Sequence, residues 1–309
     1  MFFKALLKKK VDITEEITKA KIWLNQADVI VVGIGAGLSA TSGIDYTKSS
    51  LTKEYFPDYY RMGYKKLDEL CTMYSTISDE NAKAYWGFWG RYIKSIGYDT
   101  EVGNGYKDLL RLIRNREYLI YTTNYDGQVQ RTGFKQELIT SLRGDCRQLI
   151  CKQLCCDKLY DSSDLLETMI KSMKGNLEVS GNKVPRCPHC GGYLVPNLGE
   201  CNTENVDKII NSEKMENNTA QISKIINIPL ETLSEDFKVV YLELGVGQSG
   251  ANPIKKRFDQ LVNQYPNVKL IRMNREIGET PKELEDKVIH ITADLEEAIA
   301  ELASGVVSL

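Results

Sequence analysis

Five of the eight cysteines in this 309-residue chain fall in two tight groups whose spacing is typical of metal ligands. Cys187 and Cys190 are separated by two residues and followed by two glycines, a turn that aims both thiolates at one point. Cys151 is a third candidate ligand, and either Cys155 or Cys156 is the fourth. Four thiolates without water would make a closed, structural Zn²⁺ site rather than a catalytic one. The alternative is a set of reduced cysteines that bind no metal.

A glycine-rich segment, GIGAGLSATSG at residues 33–43, could bind a phosphate. It directly follows VIVV, an unbroken apolar run that is typical of a strand buried on both faces. Backbone N–H groups on a tight turn entering a helix suit a phosphate or pyrophosphate, and Ser39 could add a hydroxyl. The glycines lack the G-x-G-x-x-G spacing of the usual dinucleotide loop. The alternative is a turn that only lets strand and helix pack closely.

Two polar residues, Asn124 and Asp126, follow a second apolar run in the segment YLIYTTNYDGQ. Parallel sheets bind ligands at the carboxyl ends of their strands, which favours a binding role for this pair over an ordinary turn. The chain has only two histidines. His189 lies between two cysteines and His290 lies in the late apolar run VIHIT, so neither is expected to act as a general base.

Helical and strand patterns alternate along the chain and must position these residues. Residues 13–27 and the segment YKDLLRLIRNRE have helical spacing, whereas VVYLELGVG, VKLIRMN and VIHITAD are short apolar runs. This alternation predicts an α/β fold with a Rossmann-like parallel sheet and a smaller helical and zinc-binding lobe.

Two stretches interrupt the alternation and are interpreted as insertions. Residues 46–98 hold nearly half of the aromatic residues, and residues 143–205 hold seven of the eight cysteines. The Rossmann-like domain is then expected to comprise residues 1–45, 99–142 and 206–309. We expect the aromatic insertion to form mainly hydrophobic core. A functional alternative is that part of it walls the ligand cleft and accepts an aliphatic arm such as a lipoyl-lysine.

Composition excludes several classes of partner. The 40 basic and 42 acidic side chains give a net charge of −2, so neither nucleic acid nor an anionic membrane is an expected partner. The amino terminus lacks the order of a signal peptide, and no run approaches the about 18 apolar residues of a membrane span. The sequence therefore predicts a cytoplasmic protein.

Taken together, the motifs resemble those of the sirtuins, which are NAD-dependent protein deacylases and ADP-ribosyl transferases. GAGLSATSGI resembles the sirtuin pattern G-A-G-x-S-x-x-S-G-I, TTNYDGQ resembles T-Q-N-x-D, and CPHCGGYLVPN resembles the C-P-x-C-G-G-x-x-x-P zinc knuckle. ELGVGQSG and IRMN resemble the two late turns that contact NAD. The resemblance spans about residues 29–300 and implies the sirtuin fold, with NAD between the two lobes and a structural Zn²⁺.

The resemblance also implies roles for individual residues. The first loop would line the pyrophosphate, Asn124 and Asp126 would face the nicotinamide ribose and the carboxamide, and the later residues would approach the adenosine. Glycines would permit close approach of the backbone. The implied cofactor-binding residues are Ala36, Gly37, Ser39, Asp45, Asn124, Asp126, Gly245, Gly247, Asn274 and Asp294.

The chain departs from the sirtuin pattern at the catalytic triplet. Sirtuin deacylases use a histidine in H-G-x as general base, whereas this chain reads RGD, with Arg143 in the histidine position. Because arginine stays protonated at physiological pH, we expect deacylation to be badly impaired. Arg143 could instead bind a phosphate, a carboxylate or a ribose hydroxyl, and it is counted with Asn124 and Asp126 as a candidate catalytic residue. Its alternative role is that of a surface or salt-bridged arginine.

Other departures are GIDY in place of G-I-P-D-F-R and an LGE segment, residues 198–200, that matches the acyl-lysine strand F-G-E only in part. The missing histidine, GIDY, ELGVG in place of a G-T-S turn, and CKQLCCDKLYD together resemble the macrodomain-linked branch of the sirtuins, called class M. Glutamine is expected in that branch where Arg143 stands, and its pattern favours Cys155 as the zinc ligand.

The class M resemblance implies a protein mono-ADP-ribosyltransferase that releases nicotinamide. Its acceptor would be a lipoylated carrier related to glycine-cleavage protein H, with a macrodomain hydrolase in the same pathway. Two alternatives stay open: a lysine deacylase with another base, such as Asp145, and a catalytically silent NAD or ADP-ribose-binding scaffold.

Overall fold

The structure is a computed structural model, and it describes residues 12–173, 175, 177–199, 236–247, 252–276 and 282–305. Most of the polar connection at residues 206–236, the last residue of the LGE segment and the end of ELGVGQSG lie outside these ranges.

The described residues form nine strands and eleven α-helices. The strands are β1 (Val29–Ile34), β2 (Tyr118–Thr122), β3 (Ile139–Ser141), β4 (Gly144–Cys151), β5 (Tyr160–Asp161), β6 (Leu194–Leu198), β7 (Val239–Leu244), β8 (Val268–Asn274) and β9 (Val288–Thr292). The helices are α1 (Thr14–Gln26), α2 (Ala36–Thr41), α3 (Ser49–Tyr55), α4 (Pro57–Arg61), α5 (Leu67–Met73), α6 (Ala82–Tyr92), α7 (Asn104–Ile113), α8 (Gln128–Arg131), α9 (Ser163–Lys171), α10 (Pro253–Gln264) and α11 (Leu295–Ala303).

The larger sheet has six parallel strands in the order β3-β2-β1-β7-β8-β9. The order reverses at β1, which pairs with β2 on one side and β7 on the other. This reversal point is where doubly wound sheets bind ligands, because the loops after the two central strands diverge there. The predicted α/β fold with a Rossmann-like parallel sheet is confirmed.

Helices cover both faces of the larger sheet. Alternate residues of β1 enter two different hydrophobic clusters, with Ile30, Val32 and Ile34 in one and Val29 and Val31 in the other. Helices α1, α7 and α11 contribute to the first cluster, and α10 contributes to the second. Both faces of β1 are therefore buried, as its unbroken apolar sequence predicts.

A third hydrophobic cluster combines residues from the aromatic segment and the cysteine-rich segment. Trp86, Phe88 and Tyr92 of α6 are fully buried within it, so the prediction that these aromatic residues form core is confirmed. The same region contains a small antiparallel sheet in the order β5-β4-β6, which the sequence did not predict. The pairing of β4 with β6 is irregular between Asp145 and Leu149, and this irregularity removes the alternation by which a strand is recognised. The exact domain boundaries remain a prediction.

Helix α11 begins at a capping residue, Asp294. The Asp294 carboxylate accepts the backbone N–H groups of Glu296 and Glu297, so it caps the helix. Across the residues that the structure describes, every helix is too short or too polar to cross a membrane.

Candidate active site

A cavity of about 590 Å³ lies where the chain leaves β1, β2 and β7. Five residues that the sequence predicted for the site share its wall, although they come from separate segments of the chain. They are Ala36, Asn124, Asp126, Arg143 and Gly247. The opposite wall includes Asp68, Cys71, Thr72 and Ser75, which lie on one face of α5 and the turn after it. No sequence pattern distinguished these four residues, because small side chains at helical spacing are typical of any surface helix.

A buried hydrogen-bond network joins three of the predicted residues below the cavity. The Ser39 hydroxyl donates to the Asp126 carboxylate, whose other oxygen accepts the Gln128 N–H at 3.0 Å. Asn124 Nδ2 lies 2.9 Å from Gly35 O and 3.0 Å from Ser39 Oγ. Ser39 is fully buried and its hydroxyl is bonded to the Asp126 carboxylate, and its contact with a pyrophosphate remains a prediction.

Tyr106 of α7 completes this network, and it was not predicted as a site residue. Its hydroxyl lies 2.9 Å from Ser39 Oγ and 3.1 Å from Asn124 Nδ2. Tyr106 lies on the apolar face of α7 with Leu109 and Ile113, so the sequence pattern is that of an ordinary core tyrosine. No local signal in the sequence could have identified its hydroxyl as part of the site.

The environment of Asp126 makes its carboxylate easier to protonate than that of an exposed aspartate. Burial raises the pKa of the Asp126 carboxyl above its ordinary value, and the hydrogen bonds from Ser39 and Gln128 oppose this shift only in part. A carboxyl group on a cavity wall with a perturbed pKa and fixed hydrogen bonds is typical of a functional site. Burial likewise raises the pKa of the Cys71 thiol to about 12, so this cysteine stays protonated and is a poor nucleophile at neutral pH.

Two glycines of the first loop, Gly35 and Gly37, pack against the turn after β7. The N–H groups of Gly35 and Gly37 donate to Leu244 O and Gly245 O at 3.0 and 2.9 Å, so they are not open for a phosphate. A Cβ on Gly35 would lie 2.5 Å from Gly245 O, and one on Gly37 would lie 2.7 Å from Gly245 Cα. Gly247 differs, because a Cβ there would meet no atom of the described chain within 4 Å. Close packing, the alternative considered for this loop, therefore explains Gly35, Gly37 and Gly245.

Arg143 is fixed at the cavity wall. Its Nε donates to Gly199 O at 2.9 Å, and its guanidinium carbon lies 5.0 Å from the centroid of the Tyr125 ring. Within the described ranges, its two terminal nitrogens have no protein hydrogen-bond partner. The side chain could therefore donate a pair of hydrogen bonds to an anionic group in the cavity.

Besides Gly37, Ser39 and Gly245, three more predicted cofactor-binding residues lie off the wall of this cavity. Asp45 accepts from Thr47 and lies 3.4 Å from the Lys48 ammonium. Asn274 Nδ2 donates to Val246 O at 2.8 Å and so supports the turn after β7. Asp294 caps α11, and direct contact of these three residues with a cofactor remains a prediction.

The candidates for a general base are also placed by the fold. Asp145 is buried in a two-pronged ion pair with Arg147, with Nε–Oδ1 and Nη2–Oδ2 distances of 3.0 and 2.6 Å, and it does not line the cavity. The alternative that Asp145 replaces the histidine base is therefore not supported. His189 is exposed in the cysteine turn and His290 lies on β9, so neither reaches the cavity wall, as expected.

Four thiols meet at one point in the cysteine-rich region. The Sγ atoms of Cys151, Cys155, Cys187 and Cys190 all lie within 4.8 Å of one another. The Cys151–Cys190 and Cys155–Cys187 Sγ distances are 3.5 and 3.6 Å, close to the roughly 3.8 Å edge of a tetrahedron with about 2.3 Å metal–sulfur bonds. Cys156 is not part of this set, and its Sγ lies 3.8 Å from the Tyr160 hydroxyl. The four thiols could hold a tetrahedral metal ion.

Comparison with known proteins relates this geometry to one fold. No protein-family model matches the chain. A Staphylococcus aureus protein named protein ADP-ribosyltransferase is 26% identical over 282 residues, which cover 91% of this chain and 85% of that protein. A Fusarium oxysporum protein named probable bifunctional ADP-ribose hydrolase/ADP-ribosyltransferase is 25% identical over 263 residues, which cover 83% of this chain but only 42% of that protein.

Solved structures of Sir2 enzymes have the same fold. A Sir2 homologue solved as a complex with NAD matches with a TM-score of 0.58 and 17% identity, covering 96% of this chain and 95% of its own. A structure described under the mechanism and regulation of Sir2 enzymes matches with a TM-score of 0.54 and 18% identity, covering 94% and 98%. The chain has the fold of the sirtuins, and its sequence resembles that of a protein ADP-ribosyltransferase.

Proposed function

We propose that the protein is an NAD-dependent protein mono-ADP-ribosyltransferase, a glycosyltransferase that releases nicotinamide. One observation carries the proposal: a single cavity at the reversal point of the sheet joins Asn124 and Asp126 to Arg143, with no histidine among the residues that line it. Transfer of ADP-ribose requires cleavage of the bond between nicotinamide and ribose. Deacylation additionally requires a base for a ribose hydroxyl, and a protonated arginine cannot supply one.

The donor set fits NAD as the co-substrate. The cavity is large enough for part of a dinucleotide, and its wall combines a buried carboxylate, an amide and a cation. The similarity to proteins named ADP-ribosyltransferases, together with a neighbour solved with NAD, supports this choice. NAD would supply the ADP-ribosyl group, and its glycosidic bond would break with the electron pair leaving on nicotinamide.

The residues of the wall would divide the work of binding and orientation. We assign Asp126 to accept the amide N–H of the carboxamide, because its carboxylate is fixed by Ser39 and Gln128 at the cavity edge. Asn124 would accept a ribose hydroxyl through Oδ1, since its Nδ2 is bonded inward. Arg143 would hold an anionic group through its terminal nitrogens. An acceptor nucleophile would then form the new bond to ribose C1′ and lose its proton to water.

For the acceptor we propose a lipoylated carrier protein related to glycine-cleavage protein H, in line with the class M resemblance. The face of α5 would wall the acceptor half of the cavity, where Tyr46 and Tyr125 add aromatic surface for an aliphatic arm. A macrodomain hydrolase would reverse the modification. The name of the Fusarium relative, which joins a hydrolase to a transferase, supports this pairing.

We further propose that Cys151, Cys155, Cys187 and Cys190 bind a structural Zn²⁺. All four ligands would come from the protein, so no position stays open for water and the metal takes no part in catalysis. Its role would be to join the end of β4 to the turn before β6.

The test is transfer of label from adenylate-labelled NAD to a lipoylated carrier of the H type. Unlipoylated carrier, an acetyl-lysine peptide and buffer serve as controls, with nicotinamide release followed throughout. We expect label on the lipoylated carrier and none with Asn124→Ala. Release of O-acyl-ADP-ribose from the peptide would instead indicate a deacylase. Binding of NAD by calorimetry without nicotinamide release would indicate a silent binding module.

A further inference from the structure

Tyr106 connects α7 to the candidate site through a hydroxyl that does not itself line the cavity but lies 3.1 Å from Asn124 Nδ2, and Asn124 does line it. We propose that Tyr106 is a positioning residue, which fixes the orientation of the Asn124 amide and the Ser39 hydroxyl so that Asn124 presents Oδ1 to the ligand. This inference rests on the proposed function for its kinetic consequence. Its structural part concerns hydrogen bonds of the protein alone.

The Asn124 amide nitrogen has fewer hydrogens than nearby acceptors. The amide nitrogen carries two hydrogens, yet three acceptors surround it: Gly35 O at 2.9 Å, Ser39 Oγ at 3.0 Å and the Tyr106 hydroxyl at 3.1 Å. The nitrogen end of the amide is thus saturated on the protein side. Asn124 is 7% exposed and lines the cavity, so Oδ1 is the end that remains for a ligand.

The charge of Asp126 sets the direction of the hydrogen bonds between Tyr106, Ser39 and Asp126. An ionised Asp126 can only accept, so the Ser39 proton is directed to it. Ser39 Oγ must then accept from Tyr106, which donates its proton at 2.9 Å. Burial raises the pKa of Tyr106, so its hydroxyl remains a donor throughout the working pH range. The chain of bonds therefore runs from Tyr106 to Ser39 to Asp126.

The ring of Tyr106 contributes to packing, whereas its hydroxyl contributes the hydrogen bonds. The Tyr106 ring is fully buried with Leu109 and Ile113 in the cluster beneath the larger sheet. A phenylalanine would keep these ring contacts and would lose only the hydroxyl. Ser39 would then lose the hydrogen bond that Tyr106 donates, and Asn124 Nδ2 would keep only Gly35 O and Ser39 Oγ as acceptors. With one of three contacts removed, the Asn124 amide would be held less firmly in the orientation that presents Oδ1 to the cavity.

The kinetic experiment compares Tyr106→Phe with Tyr118→Phe. Tyr118 lies in the same hydrophobic cluster, and its hydroxyl accepts a partly buried hydrogen bond from Lys135 N at 3.0 Å, but it does not line the cavity. We expect Tyr106→Phe to lower kcat for nicotinamide release by about tenfold to 100-fold, as misplacement of a reacting group does. The Kd for ADP-ribose should change by less than about threefold, because the lost hydroxyl supports the nicotinamide end of the site.

Tyr118→Phe should leave kcat within about twofold of the wild-type value. Equal kcat values for the two variants would overturn the proposal, as would a loss in Tyr106→Phe that appears entirely in ADP-ribose affinity.

A second measurement does not depend on activity. Hydrogen exchange of the Asn124 side-chain amide is followed by nuclear magnetic resonance, with the signal assigned from its absence in Asn124→Asp. We expect slow exchange in the wild type and in Tyr118→Phe, and exchange at least about tenfold faster in Tyr106→Phe. Identical exchange in all three proteins would show that the hydroxyl does not fix the amide. If the wild type releases no nicotinamide, the proposed function fails, and this measurement still decides the role of Tyr106.

Discussion

Two buried carboxylates of the larger domain have opposite surroundings. Glu243 on β7 is 1% exposed and forms a two-pronged ion pair with Arg272 of β8, at 2.8 and 2.9 Å. Asp126 is 2% exposed, yet its hydrogen bonds come from a hydroxyl and a backbone N–H. A buried carboxylate that is paired with an arginine has its charge neutralised inside the protein. A buried carboxylate that is bonded only by neutral donors keeps a net charge that can attract a ligand. This difference supports the proposed active-site role of Asp126 and a structural role for Glu243.

The largest expected effect is on catalysis, in Asp126→Asn. We expect nicotinamide release to fall by about 10³-fold, because an amide of the same shape removes the charge that faces the carboxamide. The free energy of unfolding at neutral pH should stay the same or rise, since burial raises the pKa of Asp126 and the native state therefore disfavours its ionised form. Steady-state kinetics and urea unfolding of the same preparation check both effects. An active Asp126→Asn enzyme would remove Asp126 from the site.

A smaller effect, on stability alone, is expected from Glu243→Gln. This change leaves the Arg272 guanidinium buried with only Asp259, at 2.7 Å, as a charged partner. We expect a loss of about 3 kcal/mol in the free energy of unfolding. The folded enzyme should keep a kcat close to that of the wild type. As a control, the double variant Glu243→Leu with Arg272→Met should recover most of the stability, because an apolar pair of similar volume replaces both charges. A tenfold fall in kcat for stable Glu243→Gln would contradict the structural assignment.

Through Asp126, activity and stability should depend on pH in opposite ways. Protonation of Asp126 should slow nicotinamide release as pH falls, and the raised pKa places this acid limb above the value of about 3.9 for an ordinary aspartate. The sign for stability is opposite. Between the ordinary and the raised pKa the unfolded state binds fewer protons, so the stability of the wild type relative to Asp126→Asn should fall as pH rises. Profiles of kcat/KM and of Tm against pH measure the two trends. An acid limb below the ordinary aspartate range would contradict the assignment.

The smallest effect is expected for a third buried carboxylate, Asp145. Its partner Arg147 is partly exposed, so Asp145→Asn should cost about 1 kcal/mol of unfolding free energy and change kcat by less than about threefold. Thermal unfolding and nicotinamide release are measured side by side. Loss of a deacylase activity in this variant would restore Asp145 as the base that replaces histidine.

The sequence was most informative where local pattern and fold agree. Unbroken apolar runs such as VIVVG and VVYLEL predicted strands of the central sheet, because both faces of such strands must be buried. Likewise, the spacing of Asn124 and Asp126 after an apolar run predicted a position at the end of a parallel strand.

Long-range contacts could not be predicted in this way. Tyr106 reaches Ser39 across 67 residues of chain, and the contact of Gly37 with Gly245 spans an even longer separation. The role of the loop glycines stays open in the sequence, because a missing Cβ has the same signature whether a ligand or a neighbouring backbone fills the space. Spacing alone likewise leaves Cys155 and Cys156 open as ligands, and only the fold shows that Cys155 meets the other three thiols.

Strand β4 has a consequence for engineering the protein. Its last residue, Cys151, belongs to the thiol cluster, and its first residue, Gly144, directly follows Arg143 on the cavity wall. Eight residues of extended chain span roughly 26 Å, so one strand connects two places that are far apart in space. If the proposed Zn²⁺ is bound, removing it would release the Cys151 end of β4, and the backbone of the strand connects that end to Arg143. Chelators in purification or assay buffers are therefore expected to affect the cavity without contacting any residue that lines it.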